Sequence, residues 1–91
     1  MDLALSQAIE RVRHWETKAT TIRGSLFTHS QELQIAFTAC ASIDGNAIRL
    51  RSDKGFKAQI MLTKAMTFRY GDAILEIMTP GWRCILYEPR D

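Results

Sequence analysis

Residues 33–50 read LQIAFTACASIDGNAIRL, and this stretch decides the fold. Apolar side chains occupy every second position up to Ile43, which predicts a β-strand with one buried face. The strand ends at Gly45-Asn46, a favoured two-residue hairpin turn in which Gly takes the positive φ of a type II′ turn. That turn places Ile43 opposite Ile48, so both strands present apolar residues to the same side.

Further turn residues continue this pattern to residue 88. Asp53-Lys54-Gly55 predicts a three-residue hairpin with Gly in the left-handed position, Gly71-Asp72 a two-residue turn, and Pro80-Gly81 a type II turn. Thr63-Lys64-Ala65 lacks Gly, but we expect it to join two neighbouring strands. The predicted strands cover about residues 33–43, 47–52, 56–62, 66–70, 73–79 and 82–88.

These turns also predict which residues lie opposite each other. The turn after residue 62 places Ile60 opposite Phe68, and the turn after residue 70 places Phe68 opposite Leu75. The last turn places Ile77 opposite Cys84. In every pair the apolar side chains face one side of the sheet, which is the side that we expect to form the core.

The first twenty residues predict an amphipathic helix over about residues 2–19, capped by Asp2 or Ser6. Its apolar positions recur at three- and four-residue spacing: Leu5, Ala8, Ile9, Val12, Trp15 and Ala19. A further strand is expected over about residues 22–29. The sequence therefore predicts an α+β protein, a single domain over residues 1–91. An N-terminal amphipathic helix packs on a curled antiparallel β-meander of six to seven strands.

The composition is that of an ordinary globular protein. With 91 residues, of which 46% are hydrophobic and 24% charged, the chain has room for one core. The longest uncharged stretch, residues 33–43, is too short to span a bilayer, and the N-terminus lacks the basic region of a signal peptide. We therefore expect a cytoplasmic protein with no membrane partner.

The sequence carries no catalytic, metal or cofactor motif, so we expect a protein that is not an enzyme and has no cofactor. His14 and His29 are isolated, and Cys84 is assigned to the core. Cys40 is the sharpest candidate for chemistry because it should lie opposite Arg51, and a neighbouring cation can activate a thiol. No general base accompanies it, so a small strand residue is the preferred interpretation.

Basic residues on the outer side of the sheet form one candidate site. Between residues 45 and 71 the chain carries six bases and one acid, although its net charge is only +2. The candidate anion-binding residues are Arg49, Arg51, Lys57 and Arg69. Arg51 should lie opposite Lys57, an unfavourable pair that an anion such as a nucleic acid would relieve. The bases can also extend into water. The aromatic rings that would stack on nucleic-acid bases are assigned to the inner side, so this is the secondary hypothesis.

An apolar cluster on the same outer side forms the leading candidate. Its members are Ile74, Met78, Ile85 and Tyr87. Exposed apolar patches commonly bind partners, and the simplest partner is a second copy related by a two-fold axis. The leading hypothesis is thus a non-enzymatic interaction module that forms a homodimer or binds another protein. The patch could instead be covered by the first strand, the C-terminal tail or the helix, and a small apolar ligand between helix and sheet is a further alternative.

Overall fold

The computed structural model describes residues 2–28 and 34–89, which form one helix and eight strands. In chain order these are β1 (Asp2–Leu3), α1 (Leu5–Thr17), β2 (Thr21–Thr28), β3 (Gln34–Asp44), β4 (Ala47–Arg51), β5 (Lys57–Met61), β6 (Thr67–Gly71), β7 (Ile74–Met78) and β8 (Trp82–Tyr87). The strands form one antiparallel sheet in the order β1-β6-β7-β8-β2-β3-β4-β5. The predicted α+β class is confirmed, with more strands than the sequence indicated. The expected strand ends at His29 and Leu33 lie outside the described residues.

The strand order departs from a simple meander at two places. β2 lies between β8 and β3 and joins the hairpins β6-β7-β8 to the hairpins β3-β4-β5. The predicted pairing of Ile60 with Phe68 is wrong, because β5 ends one flank of the sheet and β6 lies near the other. The Leu62 amide donates to the Asn46 carbonyl at 2.8 Å, so the chain continues alongside β4 instead of reversing onto β5. The connection has no residue with positive φ that would close a tight hairpin.

Two of the predicted hairpins form as expected. Gly45 has φ 62° and Ile43 lies opposite Ile48, as the type II′ turn requires. Gly55 has φ 91°, and the Ser52 amide donates to the Phe56 carbonyl at 3.0 Å across the three-residue loop. Turn chemistry therefore predicts the β3-β4-β5 register correctly.

The other two hairpins differ from prediction in detail. The β6-β7 turn is Asp72-Ala73, with φ 53° and 64°, so Phe68 lies opposite Ile77 rather than Leu75. Moving a turn by one residue shifts the pairing by two, so every side chain keeps its face.

The β7-β8 hairpin has the predicted register, with Ile77 opposite Cys84, but its turn is not type II. A type II turn needs positive φ at its second central residue, and Gly81 lacks it. The Thr79 hydroxyl instead accepts the Gly81 amide at 3.2 Å and the Trp82 amide at 3.1 Å. The side chain of Thr79 thus organises this turn.

The helix is shorter than predicted because the first residues pair with the sheet. Asp2 lies opposite Arg69, and Leu3 lies opposite Phe68, which makes β1. Neither Asp2 nor Ser6 caps the helix. The Ala4 amide at its start donates to the Gln7 side-chain oxygen at 2.7 Å.

The core lies between α1 and one face of the sheet, called the inner face. Ala8, Val12 and Trp15 of the helix are buried there. They form one cluster with Ile22, Ala39, Ala41, Ile48, Leu50, Leu62, Phe68, Leu75, Ile77, Cys84 and Leu86. Because strand side chains alternate, the residues between these sheet positions lie on the opposite face, called the outer face.

Candidate functional site

The four predicted patch residues lie on the outer face of β7 and β8. Ile74 is directly opposite Tyr87, and Ile85 lies opposite Glu76 between the two ends of the hairpin. All four side chains are half-buried, and they alternate along the strands with fully buried core residues. The structure therefore brings Ile74, Met78, Ile85 and Tyr87 together; we call them the outer patch.

β2 extends the outer patch with a residue that the sequence analysis did not select. Phe27 lies opposite Arg83, and the Arg83 guanidinium carbon is 4.5 Å from the centroid of the Phe27 ring. Arg83 also contacts Glu76 at 3.6 Å. The alternation of residues 22–28 assigns Phe27 to the face opposite Ile22, but only the position of β2 beside β8 brings it to the patch.

The helix does not cover the outer patch. Trp15 and Val12 are buried against the inner face, and β2 lies beside β8 within the sheet. The Glu88 side chain also points inward, because its carboxylate accepts the Trp15 indole N–H at 2.7 Å and the Tyr70 hydroxyl at 2.9 Å. Neither the helix nor β2 therefore covers the outer patch.

Glu88 is the centre of a polar cluster that the sequence analysis missed. Arg11 reaches the Glu88 carboxylate at 3.4 Å and stacks over the Tyr70 ring, 4.2 Å from its centroid. Burial raises the pKa of Tyr70, and the hydrogen bond to Glu88 adds to the increase. The cluster ties α1 to β6 and to the residue after β8, so it holds the helix against the sheet.

The four candidate anion-binding residues fall into two groups. Arg49, Arg51 and Lys57 lie on the neighbouring strands β4 and β5, with Arg51 directly opposite Lys57 as predicted. Arg49 contacts Asp44 at 2.7 Å. Arg69 lies on β6 near the other flank of the sheet, where it contacts Asp2 at 3.5 Å. The strand order thus separates Arg69 from the other three.

A groove of about 810 Å³ opens beside the first half of β3. One wall is β3 with β2 behind it, and the other is the loop between β4 and β5. We call it the edge groove; its lining includes Arg23, Ala36, Phe37, Thr38, Arg51, Lys54 and Phe56, together with Tyr87 of the outer patch. Cys40 also lines it; its sulfur lies 3.7 Å from the Thr21 hydroxyl. No histidine of the described chain lines the groove, so the thiol has no imidazole partner there.

Comparisons with protein-family models, with curated proteins and with solved structures found no match to this chain. The one described helix is too short and too polar to cross a membrane. Residues 2–28 and 34–89 hold no group of three or more His, Cys, Asp or Glu side chains that could bind a metal ion. The cytoplasmic location expected from the sequence stays a prediction.

Proposed function

We propose that the protein is a non-enzymatic interaction module that self-associates through the outer patch. The observation that supports this most is the half-buried apolar surface of Ile74, Ile85 and Tyr87 on a face that the helix leaves open. Met78 lies opposite Arg83, next to the Glu76–Arg83 ion pair. Phe27 enlarges that surface across β2. Apolar patches with polar residues around them commonly mark partner surfaces.

The charges around the patch suit a second copy of the chain. Glu76 and Arg83 flank Ile85 with opposite signs, at 3.6 Å from each other. In a two-fold arrangement with Ile85 near the axis, each Glu76 can approach the Arg83 of the other copy. The hairpin of β7 and β8 therefore supplies both an apolar centre and self-complementary charges.

The size of the patch sets the expected strength of association. The patch lies on β7, β8 and β2, and five residues of three adjacent strands present a face of about 14 Å by 17 Å. This is well below the roughly 800 Å² per subunit that stable interfaces bury. We therefore expect a reversible dimer with a dissociation constant of about 10 µM or weaker.

Sedimentation equilibrium at protein concentrations up to about 0.5 mM measures this association. Ile85→Lys should abolish it and leave the circular dichroism spectrum unchanged. Met61→Lys is the matched control, because Met61 is 55% exposed on β5 and lies away from the patch. A protein that stays monomeric throughout, or a dimer that both variants weaken equally, would contradict the proposal.

A second candidate function is anion binding by Arg49, Arg51 and Lys57. It is supported by the like-charged pair Arg51 and Lys57, neither of which contacts an acidic side chain within the described residues. Binding of a labelled single-stranded oligonucleotide should then weaken steeply with salt and with Arg51→Gln. Arg69→Gln, on the far flank, should have little effect. No binding at low salt would exclude the nucleic-acid form of this candidate.

A further inference from the structure

The two halves of β3 pair with different strands, and in the described part of the chain only Cys40 has a strand partner on both sides. Residues 40–44 pair with β4, and the ladder stops where Cys40 meets Arg51. Residues 34–40 pair with β2 on the other side. Within the described residues, no strand therefore lies beside the first half of β3 on the β4 side.

The hydrogen-bonding direction of this free edge follows from the hairpin. Asp44 and Ala47 flank a two-residue turn and so form a pair that exchanges both backbone hydrogen bonds. Every second residue of β3 points its amide and carbonyl the same way, which directs those of Ala36 and Thr38 into the edge groove. Ile43 belongs to the alternate set of β3 residues, whose amides should point away from β4. Its amide donates to the Glu16 carboxylate at 2.9 Å, on the side away from β4, which agrees with this assignment.

The groove exists because β4 turns away where it could have continued beside β3. Gly55, at φ 91°, and the hydrogen bond from the Ser52 amide to Phe56 reverse the chain into β5. The Phe56 ring then stacks on Phe37, with centroids 4.8 Å apart and planes 12° apart. This contact holds the loop to β3 on the inner side and leaves the space beside Ala36 and Thr38 open.

The free edge lacks the features that usually prevent strand addition. Proteins protect exposed edges with charged side chains, proline or bulges. Residues 34–40 read QIAFTAC and contain no charge and no proline. The outermost strand β5, in contrast, carries Lys57, and β1 is only two residues long.

We propose that the first half of β3 binds an extended segment of a partner protein in which acidic and apolar residues alternate. The segment adds a strand to the sheet and bonds through its backbone to Ala36 and Thr38. Its side chains alternate between two environments. Arg23 and Arg51 stand on the outer side, and the loop residues Asp53 and Lys54 also line the groove. On the inner side lie the stacked rings of Phe37 and Phe56.

The contacts of the groove favour this occupant over two others. Phe37 lies between Phe56 and Gly24, where an added Cβ would come within 2.3 Å of its ring, so its faces are not free to stack on nucleic-acid bases. A second copy pairing edge to edge would bring the Arg23 and Arg51 of both chains together. An acidic strand neutralises these bases instead, and they contact no acidic side chain in the described chain.

Amide hydrogen exchange measured by NMR tests the proposal on the full chain. The probe is an acetylated peptide of alternating valine and glutamate, and the control is the same composition with valines and glutamates in separate blocks. In the free protein the Ala36 and Thr38 amides should exchange faster than those of Phe37 and Ala39, which point toward β2. The alternating peptide should slow exchange at Ala36 and Thr38, and the block peptide should have a much smaller effect.

Two variants on one strand test the charge requirement. Arg51→Gln should weaken binding of the alternating peptide about three- to fivefold, since it removes one partly exposed ion pair. Arg49→Gln, two residues away and outside the groove, should leave it unchanged. Met78→Lys, on β7 and farther from the groove than Ile85, should also leave it unchanged, so failure here is separate from failure of the dimer.

Three results would overturn the proposal. One is unchanged exchange at Ala36 and Thr38 at saturating peptide. Another is equal weakening by Arg49→Gln and Arg51→Gln. The third is protection of these two amides by a single-stranded oligonucleotide or by raised protein concentration, with none from the peptide.

Discussion

Gly24→Ala is the substitution whose cost the structure defines best. An added Cβ at position 24 would lie 2.3 Å from Cζ and 2.5 Å from Cε2 of Phe37, far inside van der Waals contact. The ring cannot simply swing aside, because its other face stacks on Phe56 at 4.8 Å. Overpacking of this kind costs about 1–3 kcal/mol. Alanine also lowers the conformational entropy of the unfolded chain, which offsets about 0.4–1 kcal/mol of this cost.

The expected net loss of about 1–2 kcal/mol is measurable in urea. With an m-value of about 1–1.5 kcal/mol per M for a domain of this size, the unfolding midpoint should fall by about 0.7–2 M. Gly71→Ala is the matched control: its added Cβ meets no atom within 4 Å and its φ is not positive. That variant should unfold at the same urea concentration as the parent protein or slightly higher.

A double-mutant cycle separates the contact with Phe37 from a general effect on β2. In a Phe37→Leu background the shorter side chain leaves room for the methyl group, so Gly24→Ala should cost less than about 0.5 kcal/mol. The reasoning is refuted if Gly24→Ala is neutral in the parent protein. Equal costs in the two backgrounds would refute it too.

Three further predictions concern the polar cluster around Glu88 and the two thiols. Glu88→Ala leaves the Trp15 indole at 2.7 Å and the Tyr70 hydroxyl at 2.9 Å without their shared acceptor. The unfolding free energy in urea should fall by about 2–3 kcal/mol, and Glu88→Gln, which keeps a carbonyl, should lose less than half as much. The pKa of Tyr70 is raised from 10.0, so its stabilising contribution is complete below that pH and is lost as the pH rises through the folded value. Urea midpoints should therefore fall between about pH 8 and about pH 11 by more than they do in Tyr70→Phe. Burial raises the pKa of Cys84 to about 12. A thiol reagent should modify the exposed Cys40 in the native protein, and Cys84 only after unfolding; rapid native labelling of Cys40→Ser would contradict this.

The faces of the sheet were predictable because alternation and turn chemistry act over a few residues. The turns at Gly45 and Gly55 formed as expected, since glycine supplies their positive φ at little cost. At the β6-β7 turn, Ala73 takes φ 64°, which no local preference favours. The resulting two-residue shift in pairing left each side chain on its predicted face, so the outer patch was found despite the error.

The neighbours of each strand were less predictable, because they depend on contacts distant in sequence. Nothing in residues 21–28 indicates that β2 inserts between β8 and β3. That insertion adds Phe27 to the outer patch. Separately, β5 and β6 are not adjacent, which leaves Arg69 far from Arg51. The Glu88 cluster was missed for the same reason: its members are up to 77 residues apart in the chain.

The two proposed surfaces differ in the level of structure that creates them. The outer patch is made of side chains, so substitutions such as Ile85→Lys remove it while the backbone stays the same. The edge of β3 is made of backbone groups and exists only because β4 is shorter than β3 and turns away at Ser52. Side-chain variants therefore tune binding at this edge, and a change in the length of β4 should abolish it. Extending β4 by two residues before the turn would pair it with Thr38 and close the groove to a peptide. Whether the site can bind a strand therefore depends on the length of β4, and which strand it prefers depends on the charges around the groove.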